Sequence, residues 1–296
     1  MKYFYYPGCS LEGTAREYDV STRAVMRALD TELMELDDWT CCGASAGEAQ
    51  SYLLSVALPA RNLALAERTK IRADLLAPCS ACYLNLRKVE DHVTRNERLL
   101  DVINEVLGME GLHYGGGGGG IRVRHLLDVL STDIGAQRIR ERVKRKLTGL
   151  RIAPYYGCQC LRPYKDFDDP ERPVSMEPLI EAMGAEIHPW SMGGRCCGAG
   201  LMTTKKDVAL ELVGDLLSAA EGADCIATVC PMCQMNLDSF QSSVPRRQGE
   251  SSRISVLYLP QLLGLAFGLT EEDVKLKLNF AVTLPVRKKF SALSRE

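Results

Sequence analysis

Charge of one sign is missing from this 296-residue chain: 36 basic residues stand against 38 acidic ones, for a net charge of −2. So even a balance gives no electrostatic case for binding DNA, RNA or an anionic membrane surface. Long apolar runs are missing too. The best candidate, Val256–Leu269, is interrupted by Pro260 and Gln261, whereas a membrane-spanning helix needs roughly 20 consecutive apolar residues. The opening MKYFYYPGCS lacks the apolar stretch and small-residue cleavage site of a signal peptide, so a cytoplasmic location is expected. A phosphate-cradling loop is also missing. Gly115–Gly120 contains the spacing of a dinucleotide loop, but no strand leads into it and a strand, not a helix, follows. A mobile loop is expected there. With no flavin or nicotinamide site, electrons for any redox chemistry must arrive through another protein.

What is abundant is cysteine, with twelve residues. Disulfide frameworks belong to small secreted domains, and this chain is neither small nor visibly secreted, so metal or redox work in a reducing compartment is the better reading. Ten of the twelve form one pattern that occurs twice: Cys9, Cys41-Cys42, Cys79-x-x-Cys82, then Cys158, Cys196-Cys197, Cys230-x-x-Cys233. Zinc or a cubane iron–sulfur cluster takes four protein thiolates. A zinc module would leave one thiol of each five unused, and a thioredoxin-like Cys-x-x-Cys would leave three. Five soft ligands, two of them adjacent, suggest an iron–sulfur site of unusual shape. Adjacent side chains point apart in extended backbone, so both members of a Cys-Cys pair reach one group only through a turned chain, which Gly43 and Gly198 permit.

The duplication extends past the cysteines. Tyr5-Tyr6-Pro7-Gly8-Cys9 answers to Tyr155-Tyr156-Gly157-Cys158, and Cys79 to Leu86 answers to Cys230 to Leu237, with Asn85 against Asn236. Ile121–Leu130 answers to Ile254–Leu263. The first half carries extra residues before Ile121, with Leu99, Leu100, Ile103, Val106 and Leu107 making an amphipathic stretch. In each half a strand delivers the first cysteine (Lys2–Tyr6, Arg151–Tyr156). A second strand leads toward Cys-Cys-Gly (Glu32–Leu36, Glu186–Pro189), and a third ends at Cys-x-x-Cys (Ala73–Ala77, Ala223–Val229). Helical stripes lie between them: Tyr18, Thr22, Val25, Met26 and Leu29; Met176, Leu179, Ile180 and Met183; Val208, Leu212, Val213, Leu216 and Leu217. Pro59 is expected to kink or restart its helix. The order β–α–β–α–β–α predicts an α/β fold of two homologous repeats, 1–148 and 149–296. Each is a mainly parallel sheet with flanking helices, and the two are related by pseudo-twofold symmetry. The cysteine stations fall beyond strand C-terminal ends, where open α/β sheets bind ligands.

The ten-cysteine pattern resembles the duplicated cysteine-rich (CCG) domain. The segments YYPGCSLEGTAREYD, DDWTCCGA and LYLPQLLGLAFG are similar to those of the family formed by the B subunit of heterodisulfide reductase and its bacterial relatives. The resemblance implies two noncubane [4Fe–4S] clusters, one held by Cys9, Cys41, Cys42, Cys79 and Cys82 and the other by Cys158, Cys196, Cys197, Cys230 and Cys233. It implies cleavage or formation of a small-molecule disulfide in a cavity between the clusters. It also implies a ferredoxin-like C subunit with cubane clusters and a flavin-bearing A subunit. The alternative is an iron–sulfur electron-transfer subunit of a dehydrogenase or quinone-linked oxidoreductase without disulfide chemistry of its own.

Outside the pattern, Cys225 is expected to be a buried structural thiol and Cys160 not to ligate. Lys205 and His125 are candidate catalytic proton donors. His188 is expected to be packed and hydrogen-bonded, and His92 and His113 to face solvent. Asp166–Arg172 is expected to be a surface loop. Val256–Leu269 is expected to complete the core rather than dock a partner.

Overall fold

The structure, a computed structural model, describes residues 1–117, 120–244 and 253–293. Each half of the chain builds one four-stranded sheet, and every strand pairing in both is parallel. The first holds β1 (Lys2–Tyr5), β2 (Glu32–Glu35), β3 (Leu75–Ala77) and β4 (Val123–His125), in the order β2-β1-β3-β4. The second holds β5 (Arg151–Tyr155), β6 (Glu186–Ile187), β7 (Cys225–Thr228) and β8 (Ser255–Tyr258), in the order β6-β5-β7-β8. The third strands and β8 are buried at every position. Helices cover both faces of such a sheet, so its inner strands read as continuous apolar runs instead of alternating.

The register refines the internal alignment. Tyr5 lies beside Leu76 and Pro154 beside Ala227, so Tyr5 matches Pro154, and Tyr6 matches Tyr155. The expected pairing of Tyr6 with Tyr156 is corrected. It needed a gap at Pro7, and a one-residue slip would turn every strand side chain to the opposite face. On the far side of each sheet Ala77 pairs with His125 and Thr228 with Tyr258, which makes His125 and Tyr258 counterparts.

The helix Arg16–Ala28 buries Tyr18, Thr22, Val25 and Met26, with Leu29 just beyond it. It packs on the second-half helix Leu259–Ala266, which is buried throughout. Val256–Leu269 therefore completes the core, and the halves interlock. In the helix Lys206–Ala219 the buried face runs through Ala209, Val213 and Leu216, leaving Val208 exposed contrary to expectation. Pro59 does not restart its helix: Tyr52–Arg68 runs through it unbroken. The restart comes earlier, at Ser51, whose Oγ accepts the Leu54 N–H at 3.0 Å. The extra first-half residues form the helix Glu97–Gly108, with Leu99, Ile103 and Leu107 inward and Val106 outward. Of the glycine run, Gly118 and Gly119 lie outside the described residues, so the expected mobile loop falls partly there; β4 follows the run. Asp166 does more than border a surface loop: it accepts hydrogen bonds from Tyr83 Oη at 2.5 Å and Arg87 Nε at 2.9 Å, joining the two halves.

In both sheets strand order reverses between the first and third strands, and the chain leaves those two strands at Cys9 and Cys79, or Cys158 and Cys230. Each set of sulfurs thus lies at the carboxyl edge of a topological switch point, where the loops diverge and open a crevice.

Candidate metal centre

Five sulfurs gather in each half. In the first, Cys41 Sγ lies 3.8 Å from Cys9 Sγ, and Cys42 Sγ lies 3.5 Å from Cys82 Sγ. Cys41 also lowers the Cys42 thiol and Cys79 raises that of Cys82, which links all five. In the second, Cys197 Sγ lies 3.6 Å from Cys233 Sγ, and Cys158 and Cys196 shift one another's thiols in opposite directions, as do Cys230 and Cys233. Cys42, Cys79, Cys82, Cys197, Cys230 and Cys233 are buried, while Cys9, Cys41 and Cys196 are exposed and Cys158 half-buried. Each set has a closed inner end and an open outer edge.

Glycines make the room. Gly8 and Gly157, immediately before the first cysteine of each half, have φ of +71° and +72°. A Cβ on Gly8 would stand 2.8 Å from Cys82 Sγ, and one on Gly157 would stand 3.0 Å from Cys233 Sγ. Gly43 and Gly198 turn the chain at φ +74° and +76°, as the Cys-Cys pairs require. Their N–H groups point at the outer sulfurs, at 3.5 Å from Cys41 and 3.3 Å from Cys196.

The surrounding shell is repeated too. Tyr6 Oη donates to Thr40 O at 2.7 Å and Tyr155 Oη to Arg195 O at 2.8 Å, fixing the residue before each Cys-Cys pair. Trp39 packs edge-on to Tyr6, and Trp190 to Tyr155. Asn85 Nδ2 donates to Cys42 O at 3.1 Å and Asn236 Nδ2 to Cys197 O at 2.7 Å. Sequence reasoning gave Tyr6 only packing beside a cluster, and gave Tyr155 and the asparagines no task in the site. Counting back from each first cysteine, and three residues on from the second cysteine of each Cys-x-x-Cys, would have found them.

Neighbouring thiols shift alternate sulfurs toward the thiolate form. Cys41 and Cys82, with help from Asn85, bring Cys42 down to about 3. Cys158 and the Gly198 N–H bring Cys196 to about 6. Cys233, its backbone N–H and Ser80 bring Cys230 to about 7. The donors Cys82 and Cys233 rise correspondingly. Soft, deprotonated sulfurs in a crevice are what iron–sulfur ligation needs. No group of three or more His, Cys, Asp or Glu closes around one point as a single ion demands, among the described residues. Five thiols in each set, with measured sulfur pairs 3.5–3.8 Å apart, offer several attachment points to one group.

The remaining candidates lie elsewhere. Cys225 is fully buried in β7. Cys160 is buried beside Tyr156 O at 3.2 Å. Lys205 is exposed at the start of the helix Lys206–Ala219. His125 is fully buried, which lowers its imidazole to about 3 and keeps it neutral. His188 is buried, with Nε2 at 3.4 Å from Ala219 O. His113 is exposed, whereas His92 is half-buried with Nδ1 at 2.9 Å from Tyr52 Oη, contrary to the solvent position expected.

Where a cavity is expected between the two sites, described side chains occupy the space at their inner ends. There Tyr18 stacks on Tyr258 at 4.2 Å and His125 on Phe167 at 6.2 Å, with Ser80 between the Cys-x-x-Cys loops. Aromatic packing fills that space. An open cavity of about 500 Å³ instead adjoins the outer edge of the first set, lined by Cys9, Cys41, Glu12, Glu35, Asp37 and Asp38.

The cysteine-rich domain model matches this chain twice, over residues 3–87 and 152–238. The 8-methylmenaquinol:fumarate reductase membrane anchor subunit of Wolinella succinogenes is 33% identical over 94% of this chain and 96% of its own length. A protein of Archaeoglobus profundus described as like the B subunit of heterodisulfide reductase is 30% identical over 93% of each chain. Among solved structures, a hypothetical protein from Helicobacter pylori superposes with a TM-score of 0.73 at 15% identity, over 95% of this chain. This chain spans 52% of that structure's length, and the likeness is one of fold.

Proposed function

The chain belongs to the duplicated cysteine-rich (CCG) domain family that includes the B subunit of heterodisulfide reductase, and from that premise we propose that it cleaves or forms a small-molecule disulfide. Family membership makes it an iron–sulfur oxidoreductase subunit. No helix among the described residues is long and apolar enough to cross a membrane. Beyond that, the proposal comprises a cytoplasmic catalytic subunit with domains 1–148 and 149–296. A ferredoxin-like C subunit and a flavin-bearing A subunit complete the complex.

The observation that carries the reading is the convergence of five thiols, twice, around space that Gly8 and Gly157 leave open. Cys9, Cys41, Cys42, Cys79 and Cys82 would hold one noncubane [4Fe–4S] cluster, and Cys158, Cys196, Cys197, Cys230 and Cys233 the other. When bound, these groups supply electrons one at a time and iron with affinity for sulfur. Reducing one disulfide to two thiols consumes two electrons and two protons, so two one-electron sites match the stoichiometry.

The chain's own residues do the rest. Buried Cys79, Cys82, Cys230 and Cys233 seal the inner ends from water, while exposed Cys9, Cys41 and Cys196 mark the edges a substrate approaches. Tyr6 and Tyr155 hold the Cys-Cys turns rigid, which keeps those edges in place. Of the two candidate proton donors, exposed Lys205 fits delivery from solvent. His125, neutral and enclosed, is left out of the proton path.

The test is anaerobic purification followed by iron analysis, spectroscopy and turnover. We expect about eight irons per chain, an electron paramagnetic resonance signal altered by added thiol, and disulfide reduction by a reduced viologen. A colourless zinc protein would sink the reading. The Wolinella relative's name favours a second one, an electron-transfer subunit serving a partner reductase. An iron-loaded complex that reduces fumarate but no member of a disulfide panel would establish that alternative.

A further inference from the structure

The mouth of the first set of sulfurs carries groups that the sulfur frame does not need. Cys9 and Cys41, both exposed, share the open cavity of about 500 Å³ with Glu12, Glu35, Asp37 and Asp38. Among the described residues no lysine or arginine lines it; Leu36, Trp39 and Thr40 make up the remaining wall. Its size falls in the range of small-molecule sites, roughly 300–1,000 Å³.

The carboxylates of this rim are only partly balanced. Arg23 pairs with Glu35 but also holds Asp19, with Nε 2.9 Å from both carboxylate oxygens. Arg61 pairs with Asp38 at 2.7 Å but also holds Glu110 at 2.8 Å. Each arginine is shared between two carboxylates, so each group keeps a negative charge. Glu12 and Asp37 are exposed and make no ion pair among the described residues. Trp39 adds a flat aromatic wall. Its half-buried ring is set edge-on to Tyr6 at 5.3 Å, and its Nε1 donates to Glu35 Oε1 at 3.4 Å. Carboxylates beside an aromatic face favour an ammonium group, by charge and by attraction to the ring.

The second half is an internal control. Leu161 stands where Glu12 stands, three residues after the first cysteine, and Arg195 stands where Thr40 stands, just before Cys-Cys. Tyr5 lies beside Glu35 in the first sheet; the same register carried through the second puts Pro189 at the Glu35 position. The second set gathers five thiols without carboxylates at those places, so the acidic rim answers to a visitor and not to assembly of the site.

We propose that the disulfide handled at the first site carries positive charge beside its sulfurs, as an amine-bearing disulfide of the cystamine type does. Its S–S bond lies at the Cys9–Cys41 edge, and an ammonium group sits between the carboxylates and the Trp39 face. In reduction the S–S bond breaks, two electrons arrive from a one-electron donor such as a reduced viologen, two protons come from water, and two aminothiols leave. A disulfide bearing carboxylates is repelled by the same rim. The inference rests on the proposed function and names its substrate class.

The experiment measures kcat/KM of the iron-loaded full chain, near neutral pH, on cystamine, hydroxyethyl disulfide and dithiodiglycolate, which are cationic, neutral and anionic. The donor is a reduced sulfonated viologen, so the donor is not itself a cation. The quantity read is the cystamine-to-dithiodiglycolate ratio in the parent and in Glu12→Gln/Asp37→Asn, a comparison that cancels the intrinsic reactivity of each disulfide. We expect the ratio to fall about tenfold in the variant, and to fall in the parent as salt is raised. Thr40→Arg, which copies the second half, should lower it as well. Iron content is measured alongside; should the double variant lose iron, Thr40→Arg and the parent's salt dependence decide. An unchanged or rising ratio, or a parent that prefers dithiodiglycolate at low salt, would overturn the charge selection and leave the disulfide reading standing. An iron-loaded parent that reduces none of the three would overturn both.

Discussion

The two halves share a sulfur frame but not the approach to it. In the first, Cys9 and Cys41 open onto a cavity rimmed by Glu12, Glu35, Asp37 and Asp38. In the second, exposed Arg195 directly precedes Cys196, and the charge of Arg162 acts on that thiol and lowers it. The parts that set the sulfurs are the same in both: a glycine at positive φ, a tyrosine hydroxyl on the residue before Cys-Cys, an asparagine amide on the pair's second carbonyl. Duplication has kept the groups that fix the frame and let the charges at its mouth diverge. Charge at a mouth governs which partner or substrate arrives, so two equivalent sites can face different visitors.

The severest way to break the equivalence is to remove one buried sulfur at a time. Cys82→Ala and Cys233→Ala should each abolish turnover and remove about half the iron, the remainder belonging to the untouched half, as iron assay and spectroscopy will report. Next come the glycines. Gly8→Ala places a methyl 2.8 Å from Cys82 Sγ, and Gly157→Ala places one 3.0 Å from Cys233 Sγ, both at positive φ. Backbone strain of about 1–3 kcal/mol accompanies each. Iron loading should fall in the altered half only, and further for Gly8; equal loading in both variants would show that the crevices tolerate the extra carbon.

Smaller effects sharpen the comparison. Asn85→Ala and Asn236→Ala each leave a buried carbonyl unpaired, at a cost of about 1–3 kcal/mol. The second should cost more, since its bond is 2.7 Å against 3.1 Å; urea denaturation measures both. The mildest change copies one half into the other. Glu90 Oε1 accepts the Val123 N–H at 3.1 Å, and Gln241 Oε1 accepts the Ile254 N–H at 3.0 Å. Burial pushes the Glu90 carboxyl up to about 7, so the folded protein holds this proton more tightly than the unfolded chain does. Stability from this group is present at low pH and declines as pH rises from the usual carboxyl range to about 7. Glu90→Gln should remove that decline, gaining about 1–2 kcal/mol at pH 8 and nothing at pH 4. Thermal melts at the two pH values test it.

Much of this was legible beforehand because it is local. Strand composition, the stripes of the helices Arg16–Ala28 and Glu177–Ala182, and the burial of Cys225 follow from residue type and period. The misplaced tyrosine pairing and the burial of Pro59 within a continuous helix were not legible. Register is fixed by neighbouring strands, and a proline's missing hydrogen bond is tolerated where tertiary packing holds the helix. The half-buried position of His92 depends on Tyr52, 40 residues away, and no periodicity reports such a contact.

By itself the sequence determined the two parallel sheets and the stations at which ten cysteines leave them, because strand period, turn glycines and ligand softness belong to the residues themselves. Only the tertiary structure decided that aromatic stacks, not a chamber, occupy the inner ends, and that the Tyr18 hydroxyl lies 3.0 Å from both Pro78 O and Val229 O. Those outcomes depend on how one half is set against the other, and that placement comes from packing between segments more than 200 residues apart, such as Tyr18 and Val229.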